Sequence, residues 1–151
     1  MQPPTALEAR TAVPEEHPAR ETAARSAGRA PVRIAIIDDT DIFRALAAAL
    51  LQSAGDVRTF AGGREALAAF ASEPPDVVVL DIDMPYLDGF AVLRCLRGDA
   101  ALTHVPVIAF TASAEPAQAN AYCAAGFDGF VAKPVRDACA LVAEVHRVLG
   151  R

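Results

Sequence analysis

A chain of 151 residues has room for one domain with a proper core and little more. Apolar residues make up 53% and charged residues 22%, and no stretch approaches the roughly 20 apolar residues of a membrane span. The formal net charge is −5 with no Lys/Arg cluster, which argues against direct nucleic-acid binding and favours cations or partners with basic faces.

Residues 1 to 30 are rich in Ala, Pro, Glu and Arg, and Leu7 and Val13 are their only large aliphatic side chains. Such a segment buries too little surface to offset its ordering entropy, so a disordered tail is expected. From Pro31 the pattern changes. Val32 to Ile37 reads as a strand, and Ile42 to Ala54 as a helix with Phe43, Leu46, Leu50 and Ala54 on its apolar face and Thr40 or Asp41 as cap. Val57 to Phe60 is a second strand, Gly62-Gly63 lead into a helix through Ala71, and Pro74-Pro75 precede a third strand at Val77 to Leu80. A helix follows at Gly89 to Arg97, a fourth strand at Val105 to Phe110, and a fourth helix at Glu115 to Ala125 that stops at Gly126. Phe127 to Ala132 gives a fifth strand. The last helix runs from about Arg136 to Leu149, with Ala138, Leu141, Val142, Val145, Val148 and Leu149 on one face.

Strand and helix thus alternate five times. Four of the strands are nearly uniformly apolar, as strands are when helices cover both faces of a parallel sheet. The expected architecture is a doubly wound α/β domain with a five-stranded parallel sheet. In such sheets ligands bind at the carboxyl ends of the strands, and this chain puts its interrupting polar groups there. The first strand ends in Asp38-Asp39, the third in Asp81, the fourth in Thr111 and the fifth in Lys133-Pro134.

Three carboxylates in a partly desolvated pocket repel one another and drive their pKa values upward. A hard divalent cation removes that cost, and Mg²⁺ takes a few carboxylates, a carbonyl and waters. A hydroxyl and an ammonium opposite the metal suit the oxygens of a phosphoryl group, whose transfer needs positioning and charge neutralisation. An aspartate is an established nucleophile for it, and the central acid, Asp81, is the natural acceptor.

The blocks IIDD, VVVLDIDMPYLDGF, VIAFTAS and FVAKP, and the spacing between them, resemble the receiver domain of bacterial two-component response regulators over residues 31 to about 150. The resemblance implies a flavodoxin-like (βα)5 fold for residues 31–151 and a phosphoacceptor role for Asp81. It implies Asp39 as direct Mg²⁺ ligand (Mn²⁺ as substitute), Asp38 as an acid holding the metal largely through water, and the backbone carbonyl of Asp83 as a further ligand. Thr111 and Lys133 resemble the phosphoryl-sensing pair, Lys133-Pro134 is expected to be cis, and Phe130 falls at the switch aromatic. Phosphorylation would draw the Thr111 hydroxyl inward, let Phe130 rotate in, and remodel the surface of the fourth helix, fifth strand and fifth helix. The implied partners are a histidine kinase or histidine phosphotransfer protein, docking on the first helix, and a downstream protein target.

The final helix lacks the charged, Phe-containing pattern of receivers that dimerise through it, so a monomer is expected. No output domain follows within the chain, so a stand-alone regulator that docks or relays phosphate is expected, with a fragment of a longer regulator or hybrid kinase as the alternative; no catalysis is expected beyond its own phosphorylation and dephosphorylation. Two other readings compete. A degenerate receiver would serve only as an interaction module, although every chemical position is filled here. LDID also resembles the nucleophile motif of haloacid-dehalogenase-like phosphatases, but on the third strand rather than the first and without explaining Asp38-Asp39. Cys95, Cys123 and Cys139 have no metal-type spacing and are expected as buried free thiols, compatible with a reducing, cytoplasmic compartment.

Overall fold

The computed structural model describes residues 30–112 and 115–151, and the expected tail lies outside these apart from Ala30. Val32–Arg151 form one compact unit. Its elements are β1 (Arg33–Ile37), α1 (Asp41–Leu51), β2 (Asp56–Phe60), α2 (Gly63–Phe70), β3 (Val77–Asp81), α3 (Gly89–Gly98), β4 (Val107–Thr111), α4 (Pro116–Ala125), β5 (Gly129–Ala132) and α5 (Ala138–Val148). The five strands form one parallel sheet in the order β2-β1-β3-β4-β5.

Two apolar layers flank the sheet, because alternate residues of a strand face opposite sides. Ile34, Ile36, Val77, Val79, Ile108, Phe110 and Val131 pack with Ala47 and Leu51 of α1 and Leu141 and Val145 of α5. Ala35, Ile37, Val78, Leu80, Val107 and Ala109 pack with residues of α2, α3 and α4, among them Phe70, Val92, Leu96 and Tyr122. Each fully buried aliphatic side chain contributes about 1.5–3 kcal/mol relative to exposure. No helix among the described residues is long and apolar enough to cross a membrane.

Several boundaries differ from the sequence reading. β4 begins at Val107 because Pro106 has no N–H to give, and the Val105 N–H instead closes a turn by donating to the Leu102 carbonyl at 3.0 Å. β5 begins at Gly129 because the Phe127 N–H turns back to the Tyr122 carbonyl at 3.0 Å, completing the cap that the left-handed Gly126 (φ 114°) opens. α5 starts at Ala138, where the Asp137 carboxylate accepts from the Cys139 N–H at 2.9 Å. On α1, Thr40 occupies the cap position but its side chain makes no cap bond. The buried stripe of α1 runs through Ala47 and Leu51, with Phe43, Leu50 and Ala54 packed beside it, and Leu46 turns outward with Ile42.

The cysteines correct another expectation. Cys95, Cys123 and Cys139 are all free and exposed. On α3 the inward positions are Val92, Leu93 and Leu96, and on α5 they are Leu141 and Val145. At about 100° per residue Cys95 and Cys139 fall outside those stripes, and small apolar neighbours did not reveal this.

Candidate functional site

The helix side changes between β1 and β3: α1 and α5 cover one face, α2 to α4 the other. That reversal leaves a crevice at the carboxyl ends of the two strands. Asp38 follows β1 and Asp81 ends β3 there, Thr111 ends the neighbouring β4, and Lys133 follows β5.

Asp38 and Asp81 are buried and Asp39 is exposed, and ligand atoms of the three carboxylates lie within 4.8 Å of one another. The Lys133 Nζ sits 2.8 Å from Asp38 Oδ2 and 3.1 Å from Asp81 Oδ1, with its side chain only 6% exposed. Its ammonium also lies 4.5 Å from the Phe43 ring centroid and 4.9 Å from that of Phe110. These rings give the cation a low-dielectric wall and a favourable quadrupole, so it is aimed at the carboxylates rather than at solvent. The following Lys133-Pro134 bond is cis, as the sequence led one to expect.

Backbone groups hold the acids in place. The Thr40 N–H donates to Asp38 Oδ1 at 2.9 Å, and the Asp83 N–H donates to Asp81 Oδ1 at 3.2 Å. Arg44 on α1 reaches back to the Asp38 carbonyl at 2.7 Å. Gly89 lies against the Asp81 backbone: a Cβ there would stand 2.6 Å from the Asp81 carbonyl oxygen and 2.8 Å from Ile82 Cα. Glycine is therefore required by that approach, which fixes the loop after β3 onto the strand end.

The charges do not balance. Burial, followed by the negative charge of Asp38, pushes the Asp81 carboxyl up to about 7, and Lys133 only partly opposes them. Asp38 Oδ2 is fully buried and has the ammonium contact without a directed hydrogen bond. Two buried acids and a third at the rim, facing one ammonium, form a donor set short of positive charge. Three clustered carboxylates, two of them buried and sharing a single ammonium, fit a hard divalent cation of the Mg²⁺ kind.

Thr111 and Phe130 lie on the sheet face covered by α4. Thr111 is buried, and the hydroxyl of Tyr122 on α4 lies 3.4 Å from its Oγ1. Phe130 is half-buried, with its ring centroid 6.1 Å from that of Tyr122. The Asp83 side chain is exposed, and its amide is the group that touches Asp81. Sequence reasoning missed Phe43, Phe110 and Tyr122. Phe43 follows the Asp pair by one helical turn, which is a usable signal. Tyr122 reads from sequence only as an apolar-face residue near the end of a helix.

A family model described as "Response regulator receiver domain" matches residues 34–146. The chain is 36% identical over 106 residues to the response regulator PleD of Caulobacter vibrioides, covering 70% of this chain and 23% of that protein. It is 37% identical over 121 residues to the transcriptional regulatory protein PrrA of Mycobacterium tuberculosis, covering 80% and 51% respectively. The chain thus spans about a quarter to about half the length of these curated relatives. Among solved structures, the Vibrio cholerae chemotaxis protein CheY4 superposes with a TM-score of 0.72 at 30% identity, over 79% of this chain and 99% of that one. The BeF3-activated receiver domain of DrrB gives 0.69 at 30% identity, over 80% and 99%. The (βα)5 sheet, the acid pocket at its switch point and these matches agree: the chain belongs to the response regulator receiver domain family of two-component signalling.

Proposed function

We propose that residues 31–151 act as a phosphoacceptor switch, with Asp81 as the acceptor. The observation that carries this reading is the Asp38–Asp81–Lys133 cluster, in which a buried strand-end carboxylate is left short of positive charge. An Asp81 oxygen attacks the phosphorus of a phosphohistidine on a kinase or phosphotransfer protein. The new O–P bond forms as the N–P bond breaks, and the imidazole leaves and takes up a proton. Water later cleaves the acyl phosphate to orthophosphate.

Mg²⁺, when bound, supplies the positive charge that the carboxylates and the incoming phosphoryl oxygens require. Asp39, Asp81 and the Asp83 carbonyl would hold it directly, and Asp38 through water. Lys133, held against Phe43 and Phe110, is poised to follow the negative charge from the carboxylates to the phosphoryl group. The Thr111 hydroxyl takes another phosphoryl oxygen, and Phe130 responds by moving inward. This changes the α4-β5-α5 surface offered to a downstream protein.

Docking of the donor is supported on α1, which leaves the pocket directly after Asp39. Ile42 is 71% exposed and Leu46 is 37% exposed, one turn apart on its outer side. An apolar stripe of this kind suits the side of a helical partner. The reading is of a monomeric signalling domain working by single phosphorylation events in a cytoplasmic setting, without catalytic turnover on free phosphomonoesters.

Intact-protein mass after incubation with acetyl phosphate tests the proposal. The expected result is a gain of one phosphoryl group that needs Mg²⁺ and is lost in Asp81→Asn. No gain in a folded protein would favour an interaction module working without phosphorylation.

A further inference from the structure

Tyr122 stands on α4 with 7% of its surface exposed, inside the apolar layer between the sheet and helices α2 to α4. Its ring centroid lies 6.1 Å from Phe90, 5.9 Å from Phe127 and 6.1 Å from Phe130. Its hydroxyl reaches Thr111 Oγ1 at 3.4 Å and Gln118 Oε1 at 3.3 Å. A phenylalanine would fill this aromatic cluster equally well. Burying the phenol oxygen adds a desolvation cost that these polar contacts offset. The hydroxyl is thus explained by its partners rather than by packing.

A tyrosine hydroxyl has one proton and Gln118 Oε1 can only accept, so Tyr122 donates to Gln118 and its oxygen accepts from the Thr111 hydroxyl. The Thr111 hydroxyl likewise has one proton. In the phosphoacceptor reading, on which this inference rests, that proton is needed by a phosphoryl oxygen on Asp81. Tyr122 and the phosphoryl group therefore compete for the same hydroxyl.

We propose that Tyr122 is a positioning residue for the phosphoryl site: its hydroxyl holds Thr111 toward α4 at rest, and phosphorylation breaks that contact and releases α4. The Phe130 ring has no polar atom with which to sense Thr111, whereas Tyr122 touches both Thr111 and Phe130. The signal then reaches α4 through a hydrogen bond as well as through space vacated for a ring. The contact also opposes phosphorylation, since it must be given up each time.

The test is the Mg²⁺-dependent affinity for beryllofluoride, a phosphoryl mimic, in wild type, Tyr122→Phe, Thr111→Val and the double variant. Tyr122→Phe is expected to bind roughly two- to tenfold more tightly, the worth of one hydrogen bond. Its affinity for Mg²⁺ alone is expected to be unchanged, which a general loosening of the fold would not leave so. In the Thr111→Val background the same change is expected to have no effect, because the coupling partner is gone. A second readout needs no Thr111 variant: α4 amide resonances of Tyr122→Phe should already lie part-way toward their beryllofluoride-bound positions. Unchanged affinity and resting α4 resonances in Tyr122→Phe would overturn the inference, as would an equal gain in both backgrounds. A wild-type protein that binds no beryllofluoride would sink the phosphoacceptor reading and this inference with it, whereas binding without a Tyr122 effect sinks the inference alone.

Discussion

The two ends of the β1–β3 strand pair each set aspartate against a cation, with opposite results. At the amino end Asp76 accepts from the Arg33 backbone N–H at 2.8 Å, and its carboxylate faces the guanidinium at 3.3–3.4 Å. Partial burial pushes the Asp76 carboxyl up, but the Arg33 hydrogen bonds and charge outweigh this and hold it below the usual carboxylate range. At the carboxyl end Asp81 also faces a cation, at 3.1 Å, yet burial and Asp38 drive it up to about 7. Both ends hold an ion pair, but only one holds more buried negative charge than its cation can neutralise. The first arrangement ties strands together, and the second is left in need of a ligand.

The largest way to break this contrast is to remove the ammonium. Lys133→Met should destabilise the metal-free protein by about 3 kcal/mol or more at neutral pH, because Asp38 and Asp81 lose their buried counter-charge. Urea unfolding checks this, and the loss should shrink near pH 5, where Asp81 is largely protonated. A loss unchanged between pH 5 and pH 8 would mean that Lys133 acts mainly through packing on Phe43 and Phe110.

The pH dependence sharpens the contrast, because the two ends answer in different windows. The folded pKa of Asp81 lies above its unfolded value of 3.8, so its contribution is fully present below that value and is lost as pH rises through about 7. For Asp76 the folded pKa lies below 3.8, so its contribution is present above that value and is lost as pH falls through the folded pKa. Metal-free unfolding free energy from pH 3 to 8 should show both arms. Protons and Mg²⁺ compete for Asp81, so calorimetric Mg²⁺ affinity should rise as pH passes about 7.

The smallest effect is expected at the amino end. Arg33 and Asp76 are substantially exposed, so Arg33→Ala should cost at most about 1 kcal/mol by thermal unfolding. It should leave phosphoryl uptake from acetyl phosphate unchanged. A marked loss of uptake would show that the two ends are not separable.

Much of this was legible before the structure. Apolar runs broken by Asp38, Asp81, Thr111 and Lys133 at corresponding places disclose both a parallel sheet and the edge where these groups cluster, because a buried strand tolerates such groups only where it ends. Side-chain direction was less legible. Leu46 looked like core and turned outward, and the cysteines did the same, since composition does not fix the angle of a residue on a helix. Val105 looked like strand, but Pro106 beside it has no N–H to give the ladder and only its carbonyl accepts, from the Val78 N–H at 3.0 Å. Tyr122 meets Thr111 only because α4 packs over β4, a tertiary contact with no local signature.

Asp81, rather than Asp38, Asp39 or Asp83, is the proposed phosphoryl acceptor. Borohydride reduction of the acetyl phosphate-treated protein, followed by peptide mass mapping, tests it most directly, because reduction converts an aspartyl phosphate to homoserine. Homoserine is expected at position 81, in the presence of Mg²⁺ and not without it. Homoserine at position 38, 39 or 83 with Asp81 untouched would contradict it.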